Sequence, residues 1–312
     1  MKRHQWLLLA LAALACFNAG TVWVIQFSCY PLWRDVGRDA FATYFQFWQR
    51  NTWYLVEVPF GLTAAGSLLL LIMAQREFAP RMLLWLGVLL QAAAEFVRSL
   101  MVLPNERLVA LVSGWPDTPA YRQLISGNWL LVSVVTAYAV LTVWMFWRTL
   151  SPVSVMVRKR RLLFVTSALG LYAVGNIWFV HLVSYALWPY VGKKEAYVYH
   201  IAWWHSIWGV LFVPAGVVLL GSIAMLWIRP DGVSHRTGRL GFTLQLLVYL
   251  VTAAWFAPLM ARLATPNGGL SLPLYHLLMT THWVRFLLLT TYGIVCLYML
   301  AKCASGTQLR SA

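Results

Sequence analysis

Charge is what this chain lacks. Only 11% of its 312 residues are charged, nine of them acids, where a water-soluble domain carries about a quarter. A soluble domain is excluded on that count. Cysteine is scarce as well: Cys16, Cys29, Cys296 and Cys303 form no CxxC pair, so neither a disulfide framework nor a zinc ribbon is supported. No phosphate loop, nucleophile elbow, HExxH helix, nucleotide fingerprint, EF-hand loop or CxxCH haem attachment occurs. What is present is apolar length, with 61% hydrophobic residues and a mean hydropathy of +0.69.

A bilayer span takes about 20 predominantly apolar residues. Windows of that kind fall at 6–27, 52–74, 82–103, 125–147, 162–184, 202–228, 239–262 and 277–301. The expected fold is an all-α polytopic membrane protein with eight transmembrane helices. The net charge of +15 is read through the positive-inside rule and not as a sign of nucleic acid. With the N-terminus inside, fourteen basic residues stand on the cytoplasmic side against Glu77 and Asp231, a surplus of +12 against about +3 outside. Both termini are then cytoplasmic, and the Arg158-Lys159-Arg160-Arg161 run becomes a topology determinant with affinity for anionic lipid headgroups. Compact loops and the lack of a eukaryotic targeting peptide point to a bacterial inner membrane.

The first segment, Met1-Lys2-Arg3 followed by a Leu/Ala run to Cys16, has the outline of a signal peptide. An internal repeat argues for its retention. Shifted by 155 residues without a gap, the chain matches itself at fifteen of 48 positions, from Gly20 with Gly175 through Trp23 with Trp178, Trp33 with Trp188 and Tyr44 with Tyr199 to Ser67 with Ser222. A shift of 154 then pairs Trp129 with Trp283, Thr136 with Thr290 and Tyr138 with Tyr292. The reading is two four-helix repeats, 1–150 and 162–312, joined by a basic cytoplasmic linker at 151–161. An even number of spans per repeat makes them parallel, unlike the inverted repeats of many transporters. The second and sixth helices are expected to begin in the aromatic stretches before their apolar windows, which puts Pro59 and Pro214 inside a helix and favours a kink at each.

Three features carry a family resemblance: the aromatic segment ahead of the second helix, the Val56-to-Pro59 run, and the loop from Tyr121 to Asn128-Trp129. With them the chain resembles the anthrone-oxygenase-like family of small four-helix membrane proteins, mostly of unknown function, here in tandem. That family has Asn-Trp-x-Arg at the start of its fourth helix and a Tyr-His pair in its second. The first half keeps Asn128-Trp129, with Leu131 in the Arg position and Phe45 in the His position. The second keeps Tyr199-His200, Trp283 and Arg285, with His282 in place of Asn. The resemblance implies a membrane oxidoreductase or oxygenase acting on a lipophilic aromatic or quinone-like molecule near the outer leaflet.

Ionisable groups inside a bilayer are expensive and are functional candidates for that reason. Gln91, Glu95 and Arg98 share one face of the third helix at i, i+4 and i+7, and Glu57 lies just before Pro59. These acids either fix helix packing as an ion pair or face an outward-open cavity as proton carriers or metal ligands. In the second half the acids vanish and His181, His200, His205, His276 and His282 appear near the outer span ends. Imidazole there can hydrogen-bond beside tryptophan at the interface, exchange protons, or ligate haem or a transition metal. His200 and His205 are five apart, the wrong spacing for a one-helix site, so a centre has to combine helices, with His181, His200 and His282 as candidate ligands. In the enzyme reading His200 and His282 bind metal or move protons, Arg285 holds an oxyanion, Glu95 is a secondary base, and Glu57 stands with them among the catalytic candidates. The alternatives are a proton-linked transporter working through Glu57, Glu95 and Arg98, or a non-catalytic subunit or assembly factor.

Overall fold

The computed structural model describes residues 1–73, 80–110, 118–149 and 157–308, with backbone alone over 102–110 and 306–308. The linker residues 151–156 and the charges at Arg76, Glu77, Asp117 and Arg310 lie outside the described residues, as does the side chain of Glu106. The fold is all-α, with eight helices long and apolar enough to cross a membrane. In chain order these are α1 (Arg3–Ser28), the α2 (Arg38–Thr52) and α3 (Val58–Met73) pair, α4 (Arg81–Ala110), α5 (Pro119–Arg148), α6 (Val157–Phe179), the α7 (Ala196–Ile207) and α8 (Val213–Ala224) pair, the α9 (His235–Val251) and α10 (Ala257–Arg262) pair, and α11 (Leu272–Gln308). A two-stranded ribbon, β1 (Ala264–Thr265) with β2 (Gly269–Leu270), turns the chain between α10 and α11.

α1 and α6 form the centre. Their spans are 72% buried over the apolar window, against 28% to 56% for the other six. What lets them approach is a reciprocal pair of glycines. A side chain at Gly20 would run into the Tyr172 carbonyl of α6, and one at Gly175 into the Phe17 carbonyl of α1. Without a hydrophobic force between helices in lipid, such close backbone contact is what holds them. α3 and α8 pack on this pair in the same manner, Gly66 against Leu11 and Gly221 against Thr166.

The second and sixth spans do begin in their aromatic stretches, at Arg38 and Ala196. Neither Pro59 nor Pro214 stands in an uninterrupted α-helix. Each follows a single wide turn of π-helix, Trp53–Glu57 and Trp208–Phe212, and Pro258 follows a third at Thr252–Phe256. Proline has no N–H and its ring presses on the carbonyl four residues back. Widening the preceding turn to five residues relieves that pressure and swings the side chains of the turn inward or outward by an extra step. A fourth π turn, Val180–Ser184, has no proline after it.

Side-chain hydrogen bonds lock the peripheral spans. Trp23 Nε1 donates to Thr136 Oγ1 and Trp178 Nε1 to Thr290 Oγ1, both at 3.0 Å. The Ser67 and Tyr138 hydroxyls meet at 2.6 Å and those of Ser222 and Tyr292 at 2.9 Å. Tyr44 and Tyr199 place their buried hydroxyls 3.0 Å apart, and the Gly37 amide donates to the Val191 carbonyl at 2.8 Å. Each such bond is worth about 1 kcal/mol net. Tyr138→Phe and Tyr292→Phe are therefore each expected to cost about 1 kcal/mol, and to add in the double variant, because the two sites share no partner. Denaturant unfolding in detergent micelles measures this, and a coupling above about 0.5 kcal/mol between them contradicts the independence of the two locks.

Candidate functional site

A cavity of about 460 Å³ lies among helices of the first half, at the end of the bundle where α1 runs into the Tyr30–Asp35 turn. Val22 and Ile25 of α1, Leu131 of α5, Met101 of α4 and the rings of Tyr30, Trp48 and Trp53 give it apolar and aromatic walls. Glu57, Glu95, Arg98 and Asn128 give it a polar interior. The π turn after Thr52 places Glu57 on this wall while Trp53 and Tyr54 beside it are 58% and 70% exposed. On the other flank, Phe96 and Leu100 of α4 are also exposed. Lipid-facing apolar side chains therefore border both sides of the pocket.

Arg98 organises the charge. Its Nη1 donates to both carboxylate oxygens of Glu95 at 2.9 Å, and its Nη2 pairs with Glu57. The guanidinium also lies over the Phe60 ring, 4.7 Å from the centroid. The Arg98 side chain is 14% exposed, the two carboxylates 39% and 43%. Two carboxylates on one guanidinium leave the site with one negative charge in excess when all are ionised. Deeper in, Asn128 Nδ2 donates to Gln26 Oε1 at 2.6 Å, and the Thr63 hydroxyl links Asn18 with Gln91. From sequence, Glu95 and Arg98 pair at i, i+3 and Glu57 is grouped with them; its direct pairing with Arg98 comes from the wide turn that carries it.

The second half has a different arrangement. His282 Nδ1 lies 3.1 Å from His181 Nδ1, and Arg285 Nη2 lies 2.7 Å from His282 Nε2. A guanidinium only donates, so His282 Nε2 accepts. His282 Nδ1 must then carry the proton and donate to His181 Nδ1, which leaves His181 protonated on Nε2. Both nitrogens of His282 are thus occupied, with no lone pair free for a metal ion. His200 does not join them. It stands edge-on to Trp188 at 5.2 Å and is reached from His282 through the rings of Tyr185 and Trp188. Its Nδ1 has no hydrogen-bond partner. His205 and His276 are exposed. Among the described residues no group of three His, Cys, Asp or Glu side chains converges as a metal ion would require.

The chain of α11 explains the local geometry. His282 and Arg285 are three apart on one helix face, so the imidazole and the guanidinium meet within a turn, and the π turn at Val180–Ser184 delivers His181 from the neighbouring helix. Asn128 and Gln26 make the corresponding contact between α5 and the end of α1. Comparison of the chain with protein-family models, with curated proteins and with solved structures finds no match.

Proposed function

We propose that this protein binds a lipophilic ring molecule of the phenol or quinol class in the Glu57–Arg98–Glu95 cavity and acts on it as an oxidoreductase. The observation that carries the reading is the cavity itself. Aromatic walls and lipid-facing flanks suit a flat apolar ring arriving from the bilayer. A guanidinium between two carboxylates suits a ring hydroxyl, whose proton a carboxylate can take while Arg98 holds the resulting oxyanion. Oxidation of a quinol to a quinone releases two electrons and two protons; dioxygen, the acceptor to be tested, takes up both as hydrogen peroxide, with the two acids relaying the protons.

The resemblance to anthrone-oxygenase-like proteins favours the same chemistry. A tandem duplication of a four-helix unit is the architecture we infer. It is supported by the equivalent hydrogen bonds Trp23 to Thr136 and Trp178 to Thr290, by the Ser67–Tyr138 and Ser222–Tyr292 pairs, and by the reciprocal glycines Gly20 and Gly175. In that frame the first half keeps an open acidic pocket and the second has filled its counterpart with Arg285 and two imidazoles. A bacterial inner membrane with cytoplasmic termini and anionic lipid at the 158–161 run completes the proposal, the cavity then opening in the outer half of the bilayer.

An alkylated hydroquinone titrated into purified protein tests the site through quenching of Trp48 and Trp53 fluorescence, alongside oxygen uptake. Saturable quenching is expected, weakened about tenfold by Glu57→Gln or Glu95→Gln, the loss of one charge-assisted hydrogen bond. A wild-type protein that neither binds the probe nor consumes oxygen with it sinks the assignment.

A further inference from the structure

Arg285 carries a positive charge that no carboxylate among the described residues balances. The residue is 5% exposed. Its contacts are the neutral His282 Nε2 at 2.7 Å, Thr252 Oγ1 at 3.5 Å, the Tyr185 hydroxyl, and the face of Phe256, whose centroid lies 4.7 Å from the guanidinium carbon. Its Nε–H has no partner. Among the described residues no carboxylate pairs with it, whereas Arg98 holds two. The contrast is written in the sequence: Phe212 and Tyr249 stand where the repeat register puts Glu57 and Glu95, and the Tyr249 hydroxyl, one turn before Thr252, is itself without a partner.

Guanidinium stays charged in any protein environment. A charge taken out of water without a counter-charge costs several kcal/mol, and an aromatic face returns only part of that. The neutral tautomer of His282, fixed by the bond it accepts, adds no negative charge. A buried cation with an unused N–H is the half of an ion pair that a protein supplies when the other half comes from outside.

We propose that Arg285 is the receptor for a carboxylate anion, bound through Nε–H and the guanidinium edge. The planar fork of arginine matches a carboxylate in geometry as well as charge. Thr252, whose hydroxyl lies 3.5 Å from the guanidinium, opens the wide turn Thr252–Phe256, where Ala253 and Ala254 are small and exposed, and the proposed anion enters over that turn. The site is separate from the cavity of the first half, so its fate does not depend on the oxidoreductase reading. Its carboxylate comes either from the head of a fatty acid in the bilayer or from a small acid in water.

Thermal unfolding of the detergent-solubilised protein, titrated with decanoate, with acetate and with uncharged methyl decanoate, decides the matter. Decanoate is expected to raise Tm saturably and methyl decanoate to leave it unchanged. Acetate acting only at concentrations tenfold or more above decanoate identifies the lipid source, and equal potency identifies the aqueous one. Arg285→Leu, which installs the residue found at Leu131, is expected to abolish the response. Should that variant fail to fold, Arg285→Lys keeps the charge and loses the fork, and a tenfold weaker response is expected. No saturable response in the wild type, the same response to the methyl ester, or an unchanged response in the variant that folds overturns the proposal.

Discussion

Arg98→Met is expected to lower the stability of the protein by about 3 kcal/mol, well beyond the effect of removing either acid it holds. Among the described residues the guanidinium is the one cation lining its cavity, and it serves Glu57 and Glu95 at once. Its loss leaves two like charges facing each other with no counter-ion. Breaking a buried pair by removing one partner costs about 3 to 5 kcal/mol; the carboxylates are 39% and 43% exposed, so solvent screening places the effect at the lower end. Glu57→Gln is milder, about 1 kcal/mol, because Arg98 retains both oxygens of Glu95. Glu95→Gln is similar in reverse. The double variant is again severe, since Arg98 is then charged, 14% exposed and unpaired. The test is a cycle of four unfolding curves in micelles, with the double acid variant costing at least 1 kcal/mol more than the sum of the singles. Additive acids, or an Arg98→Met variant no less stable than Glu57→Gln, shows that the triad is a solvated surface cluster and not the organising charge of a cavity.

How much of this was legible in the sequence depends on which periodicity carried the information. The eight spans were, because burial in lipid writes itself as apolar length. Gln91, Glu95 and Arg98 were, because i, i+4 and i+7 positions share a helix face, and all three do face the interior. Grouping Glu57 with Glu95 and Arg98 rests on its place in the outer half of its span; its direct pairing with Arg98 is set by packing and by the five-residue turn, whose one extra residue shifts later side chains by about 100°, just over a quarter turn. The histidines show the opposite failure. Their common location near span ends suggested one centre of His181, His200 and His282, yet two of them bond to each other and the third sits behind two aromatic rings. Location along the membrane normal is readable from hydropathy; azimuth around a helix bundle is set by packing and is not. The same limit hid the Asn128–Gln26 bond, whose two members lie on different helices with no shared pattern.

The packing itself offers the second large effect. Gly20→Ala and Gly175→Ala are each expected to destabilise by about 2 kcal/mol, and Gly20→Leu to prevent assembly of the bundle. In both positions the obstacle is a backbone carbonyl of the facing helix, at Tyr172 for one and Phe17 for the other. A flexible side chain could swing aside, but a carbonyl inside a helix moves only with the helix. The first methyl group therefore separates α1 from α6 along their whole contact, and the second then enters space already opened, so the double Ala variant is expected to cost clearly less than the sum. Gly61 and Gly209 supply the control, since a side chain at either meets nothing within 4 Å. Gly61→Ala sits in the α3 helix and is expected to be neutral or to stabilise by about 0.5 to 1 kcal/mol, the helix propensity difference. The cavity is built from residues of the first half alone, Val22 and Ile25 on α1 among them, and the α1–α6 seam forms none of its polar contacts. Gly175→Ala thus lowers Tm while leaving ring-probe affinity within about twofold of the wild type, a change of about 0.4 kcal/mol. A parallel fall in affinity means that the two central helices, and not the first half alone, hold the site in shape.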